Sequence, residues 1–336
     1  MRPNKALVRT EDTWLGLRDY ILRRVVYTFL LLLLVVSLNF AIFRLAPSDP
    51  LTTIVAGSRL RPEQIEILKK RFHIGEPLSL QYIYYMSNLL QGEFGYSYRT
   101  QRPIASEIAE VLPNTLLLLG VATIISIIVG VALGIVAAAR RGKLADISIL
   151  FLGMTFYALP TFWIGLMLLL LFGFTLPIFP LRGTVSLPPP VDPISTIVDV
   201  LWHLTLPALT LILHLFAEYA VVTRNSLLGV LTEDYILTAR AKGLDEKTIL
   251  LRYALKNAAL PMVTLIAIGF GGILGGAIIA ETVFSWQGIG QYLWAAIEVS
   301  DYPVMQAVFF VIAVATIIAN LAADVLYGFL DPRIKY

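Results

Sequence analysis

Six long apolar stretches set the terms on which this 336-residue chain can fold. They run over residues 25–45, 115–139, 148–176, 201–228, 258–283 and 304–330. A bilayer core is about 30 Å thick, and a helix of about twenty residues crosses it. Hydrocarbon offers no water to unpaired peptide groups, so each stretch closes its own hydrogen bonds as a helix. The expected fold is an all-α membrane protein with six transmembrane helices. The composition agrees, with 57% hydrophobic and 15% charged residues, against about 25% charged in a soluble domain. The first stretch is too long for the core of a signal peptide and lacks a small-residue cleavage pattern, so it reads as an anchor. The formal net charge of +3 is too small to suggest nucleic acid, and the absence of cysteine excludes thiolate chemistry and disulfides.

Basic residues near the span ends predict the orientation. Arg18, Arg23 and Arg24 precede the first span. Arg140, Arg141 and Lys143 follow the second. Arg224, Arg240, Lys242, Lys247, Arg252 and Lys256 surround the connection after the fourth, and Arg333 and Lys335 close the chain. The connection over 284–303 has no Lys or Arg, and the one over 177–200 has only Arg182. Six spans with a cytoplasmic N-terminal segment (1–24) and a cytoplasmic tail (331–336) fit this distribution. The protein is then a multi-pass membrane component, in contact with lipid.

The segment 46–114 lies outside on this reading. Its basic and acidic residues balance, and it is long enough to escape the short-loop charge rule. Pro62 at a helix start, Ile65, Leu68 and Phe72 on one face, and Gly75 as a stop predict an amphipathic helix. A second helix is predicted over 79–90, ended by Gly92. The segment therefore reads as a small folded extracellular domain between the first two spans. Six prolines make 177–200 a stiff external loop.

Motifs for bond chemistry are missing. No G-x-x-x-x-G-K-[ST] run is present to hold ATP phosphates, and no H-E-x-x-H is present to hold zinc. No catalytic residue and no metal site is assigned. The fourth span carries a polar stripe of His203, Thr210, His214, Glu218 and Asn225 at helical spacing. A carboxylate near mid-bilayer is costly against lipid, so Glu218 faces a bundle interior or a wet cavity. Two readings fit: residues lining a path (Thr210, His214, Glu218, Asn225), or a hydrogen bond tying His214 to Glu218 or to a neighbouring helix. Asn320 and Asp324 repeat the spacing in the last span, and Asp324 suits a structural pair with a basic residue. Gly271, Gly272, Gly275 and Gly276 in the fifth span let helix backbones approach closely, or leave room for flexing.

Between the fourth and fifth spans the apolar sequence breaks off for a Gly-punctuated insert, 232–257. Thr232 is predicted to cap a helix over 233–242, with Glu233 and Asp234 at its positive end. Gly243 takes the left-handed turn that stops it. Asp245 caps a second helix reaching Asn257, ahead of Pro261. The small residues Ala239 and Ala241 leave a face that a partner can approach. The same pattern also suits a helix lying on anionic lipid.

The order of residues narrows this. The run Asp234-Tyr235 … Thr238-Ala239-Arg240-Ala241-Lys242-Gly243-Leu244, with Leu260-Pro261 further on, resembles the EAA loop of ABC-importer permeases. It is most similar to the B-type subunit of the dipeptide/oligopeptide/nickel branch. Other segments are similar too: Arg18-Asp-Tyr-Ile-Leu-Arg-Arg24, Ala46-Pro-Ser-Asp-Pro50, Leu90-Gln-Gly-Glu-Phe-Gly-Tyr-Ser97, Ala158-Leu-Pro-Thr-Phe-Trp-Ile-Gly165, Glu281-Thr-Val-Phe-Ser-Trp-Gln-Gly-Ile-Gly290, and the closing run from Asn320 to Arg333. The chain departs from the pattern at Leu237, where the family has glutamate, and at Thr238, where it has the first alanine. The resemblance implies the six-helix type I importer architecture and a non-enzymatic role. It also implies a C-type permease as heterodimer partner, two cytoplasmic ATPases that hold ATP and magnesium, and an external substrate-binding protein. The insert would then couple to an ATPase through Asp234, Tyr235, Thr238, Ala239, Arg240, Lys242, Gly243, Leu244 and Pro261. The substrates implied are di- and oligopeptides, with oligosaccharides or nickel as alternatives. A different class, a secondary transporter with Glu218 and His214 as proton relay, is disfavoured because the chain has no internal repeat and carries this insert.

Overall fold

The computed structural model describes residues 10–45 and 75–330, and among these the chain is helical and forms no strand. Helix α1 spans Thr10–Leu45, α2 Leu78–Leu90, α3 Ile104–Ala139 and α4 Leu144–Ala158. Helix α5, Thr161–Leu168, widens into a π turn over Leu169–Thr175. Helix α6 spans Pro193–Val230 and α7 Asp234–Ala241. The single turn α8, Glu246–Thr248, passes through a π turn at Ile249–Ala254 into α9, Leu255–Val283. Helices α10, Ile289–Glu298, and α11, Tyr302–Leu330, complete the order. Among the described residues four helices are long and apolar enough to cross a membrane, and the bent pair α4–α5 makes up to a fifth.

Several elements depart from the sequence reading. The third stretch is not one straight span. Its two halves bend by 103° at Leu159-Pro160. Pro160 has no N–H to give, and it pushes Leu159 into the extended conformation found there, φ −77° and ψ 138°. The proline-rich loop ends at Asp192, eight residues early, because Pro193 is a good first helical residue and the Asp192 carboxylate accepts from the amides of Ile194 and Ser195 at 3.0 Å. Residues 104–114, read as part of the extracellular domain, are the first turns of α3, and Pro113 lies inside that helix. The connection after α9 contains α10. The predicted helix at 62–72, the residues 1–9 and the tail 331–336 lie outside the described residues.

The core is held by the most extensive helix pair, α3 with α6. A Cβ built on Gly130 would lie 2.5 Å from Tyr219 Cβ and 2.6 Å from the Phe216 carbonyl; one on Gly134 would lie 2.6 Å from both the Ala220 carbonyl and Thr223 Cβ. Two glycines four residues apart thus let the backbones touch. The sequence puts close packing at Gly271, Gly272, Gly275 and Gly276; the packing around these four lies outside the described residues. Nearby Gly269 does meet α6, where a Cβ would stand 2.6 Å from the Tyr219 hydroxyl.

The two ends of the bundle differ. At one end Arg24 of α1 pairs with Asp324 of α11 at 2.8 Å, the basic partner that the sequence expects for Asp324. Nearer the insert, Arg224 binds both oxygens of Asp146, at 2.6 and 2.8 Å, and the Gly142 amide adds a bond at 2.8 Å. At the other end Asp301 accepts from Ser97 Oγ at 2.6 Å and from the Tyr98 and Arg99 amides at 3.1 Å. That contact fastens the turn before α3 to the elbow between α10 and α11.

Candidate functional site

The insert is a compact bracket seated on the ends of three helices. Ile236 and Ala239 of α7 are buried with Ile249 and Ala254 against Ala138 of α3, Leu227 of α6 and Ala258 of α9. Burial at 236 and 239, one turn apart, follows from the i, i+3 spacing of a single helical face. Ala239 is only 5% exposed, so it does not offer room to a partner as the sequence suggests; it lets α7 settle onto its own bundle. The opposite face points outward. Leu237 is 55% and Tyr235 40% exposed, with Asp234, Thr238, Ala241 and Lys242 beside them.

The caps also differ in part. Glu233 occupies the N-cap of α7 and makes no capping side-chain bond. Thr232 instead donates its hydroxyl back to the Gly229 carbonyl at 2.7 Å, closing α6 rather than opening α7. Gly243 has φ +77°, the left-handed turn read from the sequence, and Leu244 donates to the Ala239 carbonyl at 3.3 Å. Asp245 caps α8 by accepting from the Thr248 amide at 3.0 Å, and its bonds to Thr248 hold its carboxyl below the usual range. The second helix of the insert does not end at Asn257. It continues through Pro261 into α9, so the bracket and the fifth stretch form one rod.

Electrostatics of this bracket are close to balanced. Between Glu233 and Lys247 four carboxylates meet three bases. Arg240 and Glu246 pair at 2.7 Å across the turn, which raises the guanidinium pKa and lowers that of the carboxyl. The basic character of this region belongs to its flanks, where Arg224 is taken up by Asp146.

The polar stripe of α6 divides into two. His203 and Thr210 are buried and bonded to their own helix, His203 Nδ1 to the Asp199 carbonyl at 2.8 Å and Thr210 Oγ1 to the Leu206 carbonyl at 2.9 Å. Glu218 and Asn225 are exposed. The bond between His214 and Glu218 that the sequence allows is not made. The His214 ring stacks on Tyr157 of α4, with centroids 5.7 Å apart and planes 9° apart, and its Nδ1 is buried without a hydrogen-bond partner among the described residues.

A third site lies in a run whose residue order is distinctive but whose role the sequence does not reveal. Glu281, fully buried, accepts from Thr115 Oγ1 at 2.6 Å and from the amides of Gly290 and Gln291 at 2.7 and 3.1 Å, at the start of α10. A carboxylate there meets the positive end of a helix. Thr115 also accepts from the Ile289 amide at 2.7 Å, and Trp286, fully buried, donates to the Asn114 carbonyl at 3.0 Å. Glycine is needed at two positions here. A Cβ on Gly288 would strike the Glu281 carboxyl, and one on Gly290 would strike the Ile278 backbone. The run Glu281–Gly290 is thus a joint locking α3, α9 and α10.

Residues 130–336 match the family described as "Binding-protein-dependent transport system inner membrane component", and residues 17–119 match the N-terminal region of such components. Among curated proteins, the chain is 38% identical to a dipeptide transport system permease protein of Alkalihalophilus pseudofirmus, covering 94% of this chain and 99% of that one. It is 35% identical to an oligopeptide transport system permease protein of Bacillus subtilis, over 94% and 99%. It is also 35% identical to a glutathione transport system permease protein of Salmonella choleraesuis, over 95% and 99%.

Proposed function

This chain belongs to the family of binding-protein-dependent transport system inner membrane components, and from that premise we propose that it is the permease subunit of an ATP-driven importer of di- and oligopeptides. The names of its relatives support the peptide substrate. The observation that carries the mechanism is the bracket: an exposed helix, α7, held by Ile236 and Ala239 on the ends of α3, α6 and α9. A push on α7 reaches α9 directly, because the two are joined by one turn and one continuous rod.

In this reading six spans cross the membrane, α9 being the sixth beside the four long helices and the bent pair, with both termini and the bracket in the cytoplasm. The segment 46–114 and α10 lie outside. A C-type permease completes the path as heterodimer partner. Two ATPases bind ATP and magnesium, and one of them grips the outward face of α7 around Asp234, Tyr235, Leu237, Thr238 and Lys242. An external binding protein delivers substrate. Closure of the ATPases on ATP moves both brackets, and the spans reopen to the other side. Substrate shifts this equilibrium only through unequal binding to the two states. The chain itself carries out no bond chemistry.

The rival occupant of the α7 face is anionic lipid. Helix α7 carries one Asp and one Arg, a balanced rather than basic polar face, and this favours a protein partner, since lipid-bound helices carry Lys and Arg there. Half of the path is proposed to run along the α6 face bearing His214, Glu218 and Asn225. An exposed carboxylate on a membrane-crossing helix is far better placed in a wet path than in lipid. Thr210, buried and bonded to its own helix, supports the helix rather than the path.

The test is reconstitution in proteoliposomes with and without the ATPases. ATP-dependent peptide uptake that vanishes when they are omitted is the expected result. Uptake by this chain alone under a proton gradient would overturn the importer reading.

A further inference from the structure

Glu218 is exposed on α6 and makes no hydrogen bond or ion pair among the described residues. Val230, the end of the helix at the bracket, is about 18 Å further along the axis at 1.5 Å per residue. On the proposed span over 201–228 Glu218 is within the bilayer, where a carboxylate needs water or a cation. One turn earlier on the same side of the helix, His214 stacks on Tyr157, so this ring pair stands next to the carboxylate along α6. The basic residue next along α6, Arg224, is not available to neutralise it. Asp146 holds Arg224 through both oxygens, and among the described residues the other hydrogen bond of Arg224 is to Asn225 Oδ1 at 3.3 Å. The face therefore presents a carboxylate with no basic partner among the described residues, near the Tyr157 ring, and a carboxylate and a tyrosine ring both attract a cation.

We infer that Glu218, flanked by Tyr157 and His214, is a subsite for the protonated α-amino group of the travelling peptide. The assignment rests on the proposed peptide import and adds the chemistry of recognition within the path. An α-ammonium is the cation common to free peptides whatever their side chains, so a lone carboxylate selects for a free N-terminus without reading sequence. The carboxylate end of the same peptide is repelled, which orients the substrate. A neutral sugar chain would gain nothing from this charge.

The experiment uses the whole complex, with its ATPases and binding protein, in proteoliposomes. ATP-driven uptake of dialanine is compared with that of N-acetyl-dialanine, each at a concentration that saturates the binding protein. In the unaltered complex the free peptide is expected to be taken up faster. Glu218→Gln should shrink that ratio by about tenfold, through slower uptake of dialanine relative to the acetylated peptide, and Glu218→Asp should restore it. His214→Lys, which sets a fixed cation one turn from Glu218, should shrink the ratio in the same way and carries the test if Glu218→Gln fails to assemble. Equal loss of both substrates in assembled Glu218→Gln complexes, or an unchanged ratio, overturns the subsite while leaving ATP-driven import standing. If the unaltered complex takes up neither peptide, the peptide reading and the subsite fall together.

Discussion

The bracket around α7 and the joint around Glu281 are both short connections between long helices, yet they are built on opposite terms. The joint is buried and bonded throughout: one carboxylate takes three donors, a threonine serves as donor and acceptor, and a tryptophan indole is satisfied by a backbone carbonyl. The bracket is held by apolar burial, of one face of α7 and of Ile249 and Ala254 behind it, and the other face of α7 is left to solvent. Buried polar groups that are all satisfied hold a single geometry, because any displacement strands a donor in a medium without water. Apolar contact is not directional and tolerates a small rotation or slide. The difference suits the proposed machine, in which the joint at one end keeps helices in register while the bracket at the other transmits a pull.

The strongest way to break this comparison is at the joint. Glu281→Ala leaves Thr115 and two amides without acceptors, and should cost about 3–5 kcal/mol. The expected result is a protein that is poorly recovered in detergent and unfolds at much lower temperature. A loss of under about 1 kcal/mol would mean that the joint is no more rigid than the bracket. Next comes Gly134→Leu in the α3–α6 contact, where the added side chain meets backbone rather than a movable group; overpacking of this kind costs about 1–3 kcal/mol or more, read as a lower unfolding temperature.

The bracket should separate folding from docking within one helical turn. Ala239→Leu, on the buried face, should lower thermal stability by about 1–3 kcal/mol, as overpacking does. Leu237→Asp, on the exposed face, should leave stability within about 0.5 kcal/mol but weaken co-purification of the ATPases and uncouple ATP hydrolysis from uptake. The opposite pattern, with Leu237→Asp unfolding the protein and Ala239→Leu releasing the ATPases, would reverse the assigned faces.

The smallest effect is expected at Arg240–Glu246, an exposed pair of the kind that contributes little. The folded-state pKa of Glu246 is depressed, so its contribution is present above the unfolded pKa and is lost as pH falls through the folded one. Glu246→Gln should therefore lower stability slightly at neutral pH, and the gap between variant and parent should close in the acid range below ordinary glutamate titration. A thermal unfolding series against pH reads this directly.

The features legible in the sequence are those governed by local rules. Gly243 is marked as a left-handed stop because φ +77° suits glycine best, and Asp245 as a cap because its side chain can reach an amide three residues on. The bend at Leu159-Pro160 has the same kind of signal, a proline within an apolar run. Its 103° angle is not legible there, because a proline reports a broken ladder and not a direction. Ala239 reads equally well on either face, since small size suits both a partner's approach and the chain's own close packing. Gly130 and Gly134 carry the same ambiguity: a glycine pair states that backbones can touch, and the partner helix is not written beside it.

What the sequence determined on its own is the membrane character, the helical class and the family, because hydrophobic length, peptide-bond accounting and residue order are all properties of the chain read in one dimension. Tertiary structure decided which face of α7 is outward, that Arg224 is consumed by Asp146, that His214 stacks on Tyr157 instead of meeting Glu218, and that a glutamate at 281 joins a threonine far away at 115. Each of these depends on which side chains of distant segments share a space, and that is fixed only once the helices have packed.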